Sequence, residues 1–161
     1  MLVAFSQPLD LPSTMESGQA FRWSRQDLWY YGVAFNNVVK ICRRPEGIEF
    51  FCAPDDESTL EPLLRDYLRL GDDLEAIYQS ISFDEHVNTA ILRFRGMRLV
   101  RQDPWECLVS FVCSSNSNIR RISRNVEDMS EHFGRQVRLG DHARSTFPTP
   151  VELAEAGERR L

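Results

Sequence analysis

The chain has 161 residues, of which 42% are hydrophobic and 27% charged, a composition typical of a globular protein of one or two domains. It contains no run of about 18 apolar residues and no basic segment followed by an apolar one at its start. This excludes a predicted membrane helix or secretory signal, so we expect an intracellular protein. The net charge of −5 excludes a uniformly basic surface.

Residues 1–53 predict an antiparallel sheet of four or five strands. Asn36-Asn37 predicts a tight hairpin turn, because asparagine tolerates a positive φ. In a strand containing Phe21, Arg22 and Trp23, the two aromatic rings would share the core face and the arginine would lie on the other. Apolar and aromatic residues cluster in five runs separated by polar, Gly or Pro breaks, namely Leu2–Phe5, Gln19–Trp23, Leu28–Phe35, Val38–Cys42 and Gly47–Cys52.

From Asp55 the apolar residues recur at helical spacing. Three amphipathic helices are predicted, the last starting near Asp84 and ending at Gly96. The segment Met97–Val100 is expected to join them to a second, helical part of the chain. Their apolar stripes contain Leu60, Leu63, Leu64, Tyr67 and Leu68, then Leu74, Ile77, Tyr78 and Ile81, then Val87, Ile91, Leu92 and Phe94.

The next helix has a strong start signal. Asp103 is a good N-cap, Pro104 suits the first helical position, and Glu106 occupies the position of a capping-box acid. Because Trp105, Leu108, Val109, Phe111 and Val112 leave almost no polar face, this helix is predicted to be buried.

The Ser/Asn run at residues 114–118 predicts the end of that helix, since these side chains compete for backbone hydrogen bonds. A second helix follows, with Ile119, Ile122, Val126, Met129 and Phe133 at helical spacing, and it ends at Gly134. Thr149-Pro150-Val151-Glu152 predicts one further short helix.

Positive charge is concentrated around these two helices. Between Arg93 and Arg124 seven arginines face two acids, a local charge of +5 in a chain whose net charge is −5. Arg120, Arg121 and Arg124 crowd the start of the second helix, where cations oppose the helix dipole. This arrangement predicts a bound anion at that helix terminus.

Two segments resemble the 8-oxoguanine DNA glycosylase/lyase family. Residues 101–121 read RQDPWECLVSFVCSSNSNIRR and residues 17–23 read SGQAFRW. The resemblance extends over essentially the whole chain, with the family's order and similar spacing. It implies an α+β fold, in which residues 1–99 form an antiparallel sheet domain with flanking helices, as in the TATA-binding protein. Residues 100–161 would then be the first helices of an all-α DNA-glycosylase domain.

The same resemblance implies roles for individual residues. The carbonyl of Gly18 would accept a hydrogen bond from N7–H of the damaged base, and Phe111 would also contact that base. Asn116 would enter the gap left by the flipped nucleotide, and Arg121 would read the opposite cytosine. Ser117 replaces a family asparagine and is assigned no role. Contacts to DNA phosphates are expected from Asn118, Arg120 and Arg124.

Each of these residues also has a plainer interpretation. Gly18 could mark a bend before a strand, and the Ser/Asn run with its arginines could be a polar turn and a solvated helix start. The implied partner is double-stranded DNA containing oxidised guanine, bound by a monomer without cofactor, metal or membrane. Cys42, Cys52, Cys107 and Cys113 form no CxxC pair, which favours reduced thiols over zinc ligands.

No catalytic residue is assigned. The family's nucleophilic lysine and activating aspartate are expected beyond the last residue of this sequence, and the one lysine present is Lys40. We therefore expect no base excision by this polypeptide alone. His86, His132 and His142 follow no ligand spacing and are predicted to be surface or cap residues.

Three alternatives stay open at this point. A glycosylase for alkylated bases would share the fold, although the pair Asn116 and Arg121 argues against it. The chain could also be a non-catalytic module that binds damaged DNA or docks a protein. A small-molecule domain without a nucleic-acid role is the third alternative.

Overall fold

The computed structural model describes residues 1–158. Strands and helices follow one another in this order: β1 (Leu2–Ala4), α1 (Leu11–Glu16), β2 (Ser24–Gln26), β3 (Trp29–Ala34), β4 (Asn37–Arg44), β5 (Gly47–Ala53), α2 (Glu57–Tyr67), α3 (Leu74–Ile81), α4 (Glu85–Arg93), α5 (Pro104–Cys113), α6 (Ile119–Phe133), β6 (Gln136–Leu139), β7 (His142–Ser145) and α7 (Pro150–Ala156).

The predicted antiparallel sheet is confirmed, with the strand order β1-β5-β4-β3-β2. The turn between β3 and β4 differs from the prediction by one residue. Ala34 pairs with Asn37, and Phe35 and Asn36 form the two-residue turn with φ of +53° and +61°. Positive φ at both positions is the geometry that favours hairpins with the twist of a natural sheet.

The predicted strand Gln19–Trp23 is wrong. Residues 17–23 form a loop, called here the Gly18 loop, and the edge strand β2 begins only at Ser24. Arg22, expected on the opposite face from the aromatic rings, is itself buried at 6% exposure. Its partners lie far along the chain, so strand alternation does not describe this segment.

The main core lies between one face of the sheet and the helices α1 and α2. Apolar side chains that alternate along β4 and β5 meet the stripe of α2, and each such side chain contributes about 1.5–3 kcal/mol when fully buried. The fully buried members include Val39, Ile41, Ile48, Phe50, Leu60 and Leu64.

Most helices begin at polar caps. The side chains of Asp56, Asp73 and Asp84 accept from backbone N–H groups at the starts of α2, α3 and α4. In α7, Thr149 and Glu152 form a complete capping box. None of the helices within residues 1–158 is long and apolar enough to cross a membrane.

The hairpin β6–β7 was not predicted. It packs on the sheet near β4 and β5, and the rings of Tyr31 and His142 lie 4.1 Å apart. His142 is therefore partly buried in a ring contact and does not match the predicted surface or cap position. The second part of the chain thus contains a strand pair in addition to helices.

Candidate nucleic-acid interface

The Gly18 loop is held in place by the side chain of Gln19. Its amide nitrogen donates to the carbonyl oxygens of Thr14 and Arg98 at 2.9 and 2.8 Å. Its amide oxygen accepts from the backbone N–H of Val100 at 2.9 Å. The loop is therefore bonded both to α1 and to the segment that leads into α5.

The same loop lies along one face of α6. Its first contact is at Gly18, whose φ is +81°, where an added Cβ would lie 3.2 Å from Cδ1 of Ile119. One helical turn later, the Ser123 hydroxyl donates to the carbonyl of Phe21 at 3.2 Å. These two contacts place the Gly18 backbone beside the first residue of α6.

The turn between α5 and α6 is ordered by its own side chains. Ser114 Oγ donates to the carbonyl of Phe111 at 2.6 Å, and Asn118 accepts from the backbone N–H of Arg121 at 3.0 Å. Asn116 is exposed and has a φ of +50°. The cap thus uses the side-chain oxygen of Asn118, whereas the Asn116 side chain is left at the surface.

Three cations surround the start of α6. Arg120, Arg121 and Arg124 are exposed, and the first turn contains no acid. Within the described part of the chain, none of the three forms an ion pair. The helix dipole and these side chains therefore add to a positive potential at one place.

The other four arginines of the positive segment are engaged within the fold. Arg95 pairs with Glu75, and Arg101 pairs with Asp66 at 2.8 Å. Arg98 is 2% exposed and donates to backbone carbonyls, and Arg93 lies over the ring of Phe94 at 5.4 Å. Two of these four charges are thus paired with acids and one is buried, whereas Arg93, like the three arginines of α6, is exposed without an ion pair among residues 1–158.

The prediction that α5 is buried is wrong for its apolar face. Leu108, Phe111 and Val112 are 54%, 74% and 64% exposed, and the one buried residue of the helix is Ser110. Within residues 1–158 no element covers this face. Phe111 is therefore accessible to a ligand at the end of the helix that leads to Asn116.

A cavity of about 240 Å³ separates the sheet from the start of α5 and the segment 147–150. Glu106, expected as a capping-box acid, lines this cavity, while Asp103 alone caps α5 by accepting from the N–H groups of Trp105 and Glu106 at 2.9 Å. Other lining residues are Arg22, Trp23, Phe35, Tyr67 and Phe147.

Burial in this cavity raises the pKa of Glu106 to about 7. The positive charge of Arg22 opposes the rise, and the negative charges of Asp103 and Glu127 add to it. Sequence reasoning missed this group because its environment is built by the Gly18 loop, which precedes it by more than 80 residues. Among residues 1–158, no group of three or more His, Cys, Asp or Glu side chains could hold a metal ion.

The fold is that of DNA glycosylases that join an antiparallel sheet domain to helices. A structure of MBOgg1 in complex with a low-affinity DNA ligand superposes with a TM-score of 0.87 at 33% identity, covering 96% of this chain and 53% of that one. The Clostridium acetobutylicum 8-oxoguanine glycosylase/lyase bound to double-stranded DNA containing cytosine opposite 8-oxoguanine gives a TM-score of 0.86 at 27% identity, with coverages of 99% and 58%.

The family is shown by sequence. The model for the N-terminal domain of 8-oxoguanine DNA glycosylase matches residues 1–108, more than half of the chain. This chain belongs to the 8-oxoguanine DNA glycosylase family. The Saccharomyces cerevisiae N-glycosylase/DNA lyase is 32% identical over 167 residues, which cover 95% of this chain and 44% of that protein. The chain thus spans about half the length of the relatives that it matches.

Proposed function

We propose that this chain supplies the sheet domain and the base-reading turn of an enzyme that excises 8-oxoguanine opposite cytosine, with AP lyase activity in the complete enzyme. Residues 1–99 form the sheet domain and residues 100–161 belong to the helical domain. The partner is double-stranded DNA containing oxidised guanine, bound by a monomer. The observation that carries the proposal is the start of α6, where three exposed arginines without ion pairs among the described residues adjoin the Gly18 loop.

Gly18 reads the damaged base. Normal guanine presents an acceptor at N7, whereas 8-oxoguanine presents an N7–H donor. A backbone carbonyl at Gly18 accepts a hydrogen bond from that donor. With normal guanine, the carbonyl oxygen would instead meet the lone pair on N7 and be repelled. The missing side chain lets the backbone approach closely, and the exposed ring of Phe111 supplies an apolar contact to the base.

Asn116 and Arg121 read the opposite strand. Extrusion of a nucleotide costs a few kcal/mol, which substitute contacts in the vacated space offset. Asn116, exposed on its turn, enters that space, and the guanidinium of Arg121 donates to the edge of the unpaired cytosine. Arg120, Arg124 and the amide nitrogen of Asn118 contact phosphates, which fixes the register of the protein on the duplex without reading the base sequence.

Direct binding tests this proposal. Dissociation constants of the 161-residue chain are measured for three matched duplexes, which contain 8-oxoguanine opposite cytosine, guanine opposite cytosine, or 8-oxoguanine opposite adenine. The first duplex should bind more tightly than the other two, and all three affinities should fall as salt rises, because phosphate contacts release counterions. Equal affinities for the three duplexes would contradict the proposal.

The second candidate is a non-catalytic module that binds damaged DNA. It is favoured by the surroundings of Lys40, the one lysine of the sequence, whose Nζ lies 4.7 Å from the ring centres of both Trp29 and Phe51 on the sheet. The two ring centres are 5.8 Å apart, so the ammonium lies against an aromatic pair on the sheet, and cation–π attraction holds the side chain there instead of at the proposed DNA contacts. Borohydride treatment with a lesion duplex should therefore trap no adduct of this chain.

A further inference from the structure

The Gly18 loop is tied to α6 by a third contact beyond Gly18 and Phe21. Arg22, with its side chain 3% exposed, donates from Nε to Oε2 of Glu127 at 3.2 Å. Ile119, Ser123 and Glu127 are four residues apart, so they share one face of α6. The loop therefore follows this face for two helical turns.

Glu127 also joins this contact to the hairpin. Its second oxygen accepts from Nη1 of Arg144 at 3.1 Å, and Nη2 of Arg144 donates to the hydroxyl of Ser24 at 2.8 Å. Arg22 in turn donates from Nη2 to the carbonyl of Ser145. One carboxylate thus connects the Gly18 loop, the start of β2 and the strand β7.

The face that carries these contacts differs from the face that carries the free arginines. With about 100° per residue, Arg120 and Arg124 are displaced from the line of Ile119, Ser123 and Glu127 by a quarter turn, and Arg121 lies about 200° from it. Contacts to the loop and contacts to DNA therefore do not compete for the same side chains. One rigid helix can hold the loop on one side and present Arg121 on another.

We propose that Ser123 and Glu127 are positioning residues that fix the Gly18 carbonyl relative to Asn116 and Arg121. Recognition of the damaged base and reading of the base opposite are thereby coupled through α6. This inference rests on the proposed function, because it concerns the same three groups. Neither positioning residue touches the DNA, and both act by holding the loop at the start of the helix.

The test compares Ser123→Ala and Glu127→Gln with the control Glu131→Gln. Glu131 is exposed, lies one turn beyond Glu127 on the same face, and its substitution makes the same change in charge. Ser123→Ala removes one hydrogen bond to the loop backbone and keeps the partly buried Arg22–Glu127 pair. It therefore gives a result even if Glu127→Gln fails to fold.

Two quantities are measured for each variant. The first is amide hydrogen exchange of residues 18–23, which should become faster in Ser123→Ala and Glu127→Gln and stay unchanged in Glu131→Gln. The second quantity is a pair of affinity ratios. One ratio compares duplexes with 8-oxoguanine or guanine opposite cytosine, and the other compares duplexes with cytosine or adenine opposite 8-oxoguanine. Both ratios should fall by at least about threefold, the size expected for one hydrogen bond, while affinity for the undamaged duplex is unchanged.

The outcomes separate the inference from the proposed function. Equal affinity of the unsubstituted chain for all duplexes would contradict the proposed function. Selective binding that persists in a variant with a loosened loop would overturn the positioning role alone. Equal weakening for every duplex would indicate a purely structural role and would also overturn it.

Discussion

Gly18 and Ile119 lie against each other, so that a Cβ atom added to Gly18 would be 3.2 Å from Cδ1 of Ile119. The φ of Gly18 is +81°, a value that residues with a side chain rarely adopt. Two independent constraints therefore favour glycine at this position. One is the backbone conformation of the loop, and the other is its close approach to α6.

Gly18→Ala should lower the free energy of unfolding by about 1–2 kcal/mol, because it combines backbone strain with a tight contact. Denaturant unfolding measures this difference. Gly140→Ala is a control for strain alone, since φ is +56° and no atom lies within 4 Å of an added Cβ. Gly71→Ala has the same open space without a positive φ and should be near neutral. If Gly18→Ala changed the free energy of unfolding no more than Gly71→Ala does, both constraints at Gly18 would be contradicted.

The raised pKa of Glu106 predicts that the free energy of unfolding depends on pH. Its pKa is about 7 in the folded protein against 4.5 as the ordinary value, so the folded state binds more protons between these limits. Stability should therefore fall as pH rises from about 4.5 to about 7, and the full loss persists above that range. Glu106→Gln should remove this dependence and raise stability at pH 8 by on the order of 1–2 kcal/mol, less than full burial would give because the carboxyl is partly solvated.

Thermal unfolding of both forms at pH 5 and pH 8 measures this effect. The gain from Glu106→Gln should be larger at pH 8 than at pH 5. Glu155→Gln is the matched control, since it makes the same change in charge at an exposed position of α7. A gain of the same size at both values would mean that Glu106 has an ordinary pKa.

Local signals in the sequence predicted the parts of the fold that depend on neighbours in the chain. Asp103 and Pro104 start α5, Gly134 ends α6, and the apolar runs Val38–Cys42 and Gly47–Cys52 give β4 and β5. Caps and periodicity are set within a few residues, so they can be read without the fold.

Contacts between distant segments could not be predicted in this way. Arg22 is buried because Glu127 and Ser145 lie beside it, and the pattern of residues 19–23 contains no sign of either. The apolar face of α5 shows a second limit of prediction from sequence. Its composition indicates that the face requires a partner, and the prediction placed that partner within the chain, whereas Phe111 is 74% exposed.

Two substitutions at Asn118 distinguish its role as a helix cap from its proposed contact to a DNA phosphate. Its side-chain oxygen accepts from the N–H of Arg121 at 3.0 Å, so Asn118→Ala should destabilise the protein by about 1 kcal/mol. Asn118→Asp keeps the acceptor and should retain stability, but it places a negative charge where a phosphate is proposed. Denaturant unfolding and duplex affinity, measured for both variants, distinguish the two roles. Unchanged DNA affinity in Asn118→Asp would contradict the phosphate contact.

Arg121 and Arg124 are both exposed on α6 and without ion pairs in residues 1–158, which makes them a matched pair. If Arg121 reads the opposite cytosine, Arg121→Ala should reduce the preference for cytosine over adenine opposite 8-oxoguanine about tenfold, the usual value of a base-edge contact. Arg124→Ala should weaken binding to every duplex alike, because a phosphate contact carries no sequence information. Dissociation constants at several salt concentrations measure both effects.

The salt dependence provides the second half of this comparison. Loss of one phosphate contact should reduce the slope of log affinity against log salt by about 0.9, so Arg124→Ala should show this change. Arg121→Ala should leave the slope largely intact, since its proposed partner is a neutral base. Equal losses against every opposite base in Arg121→Ala, together with a reduced slope, would reassign Arg121 to the phosphates and leave the cytosine without a reader on α6.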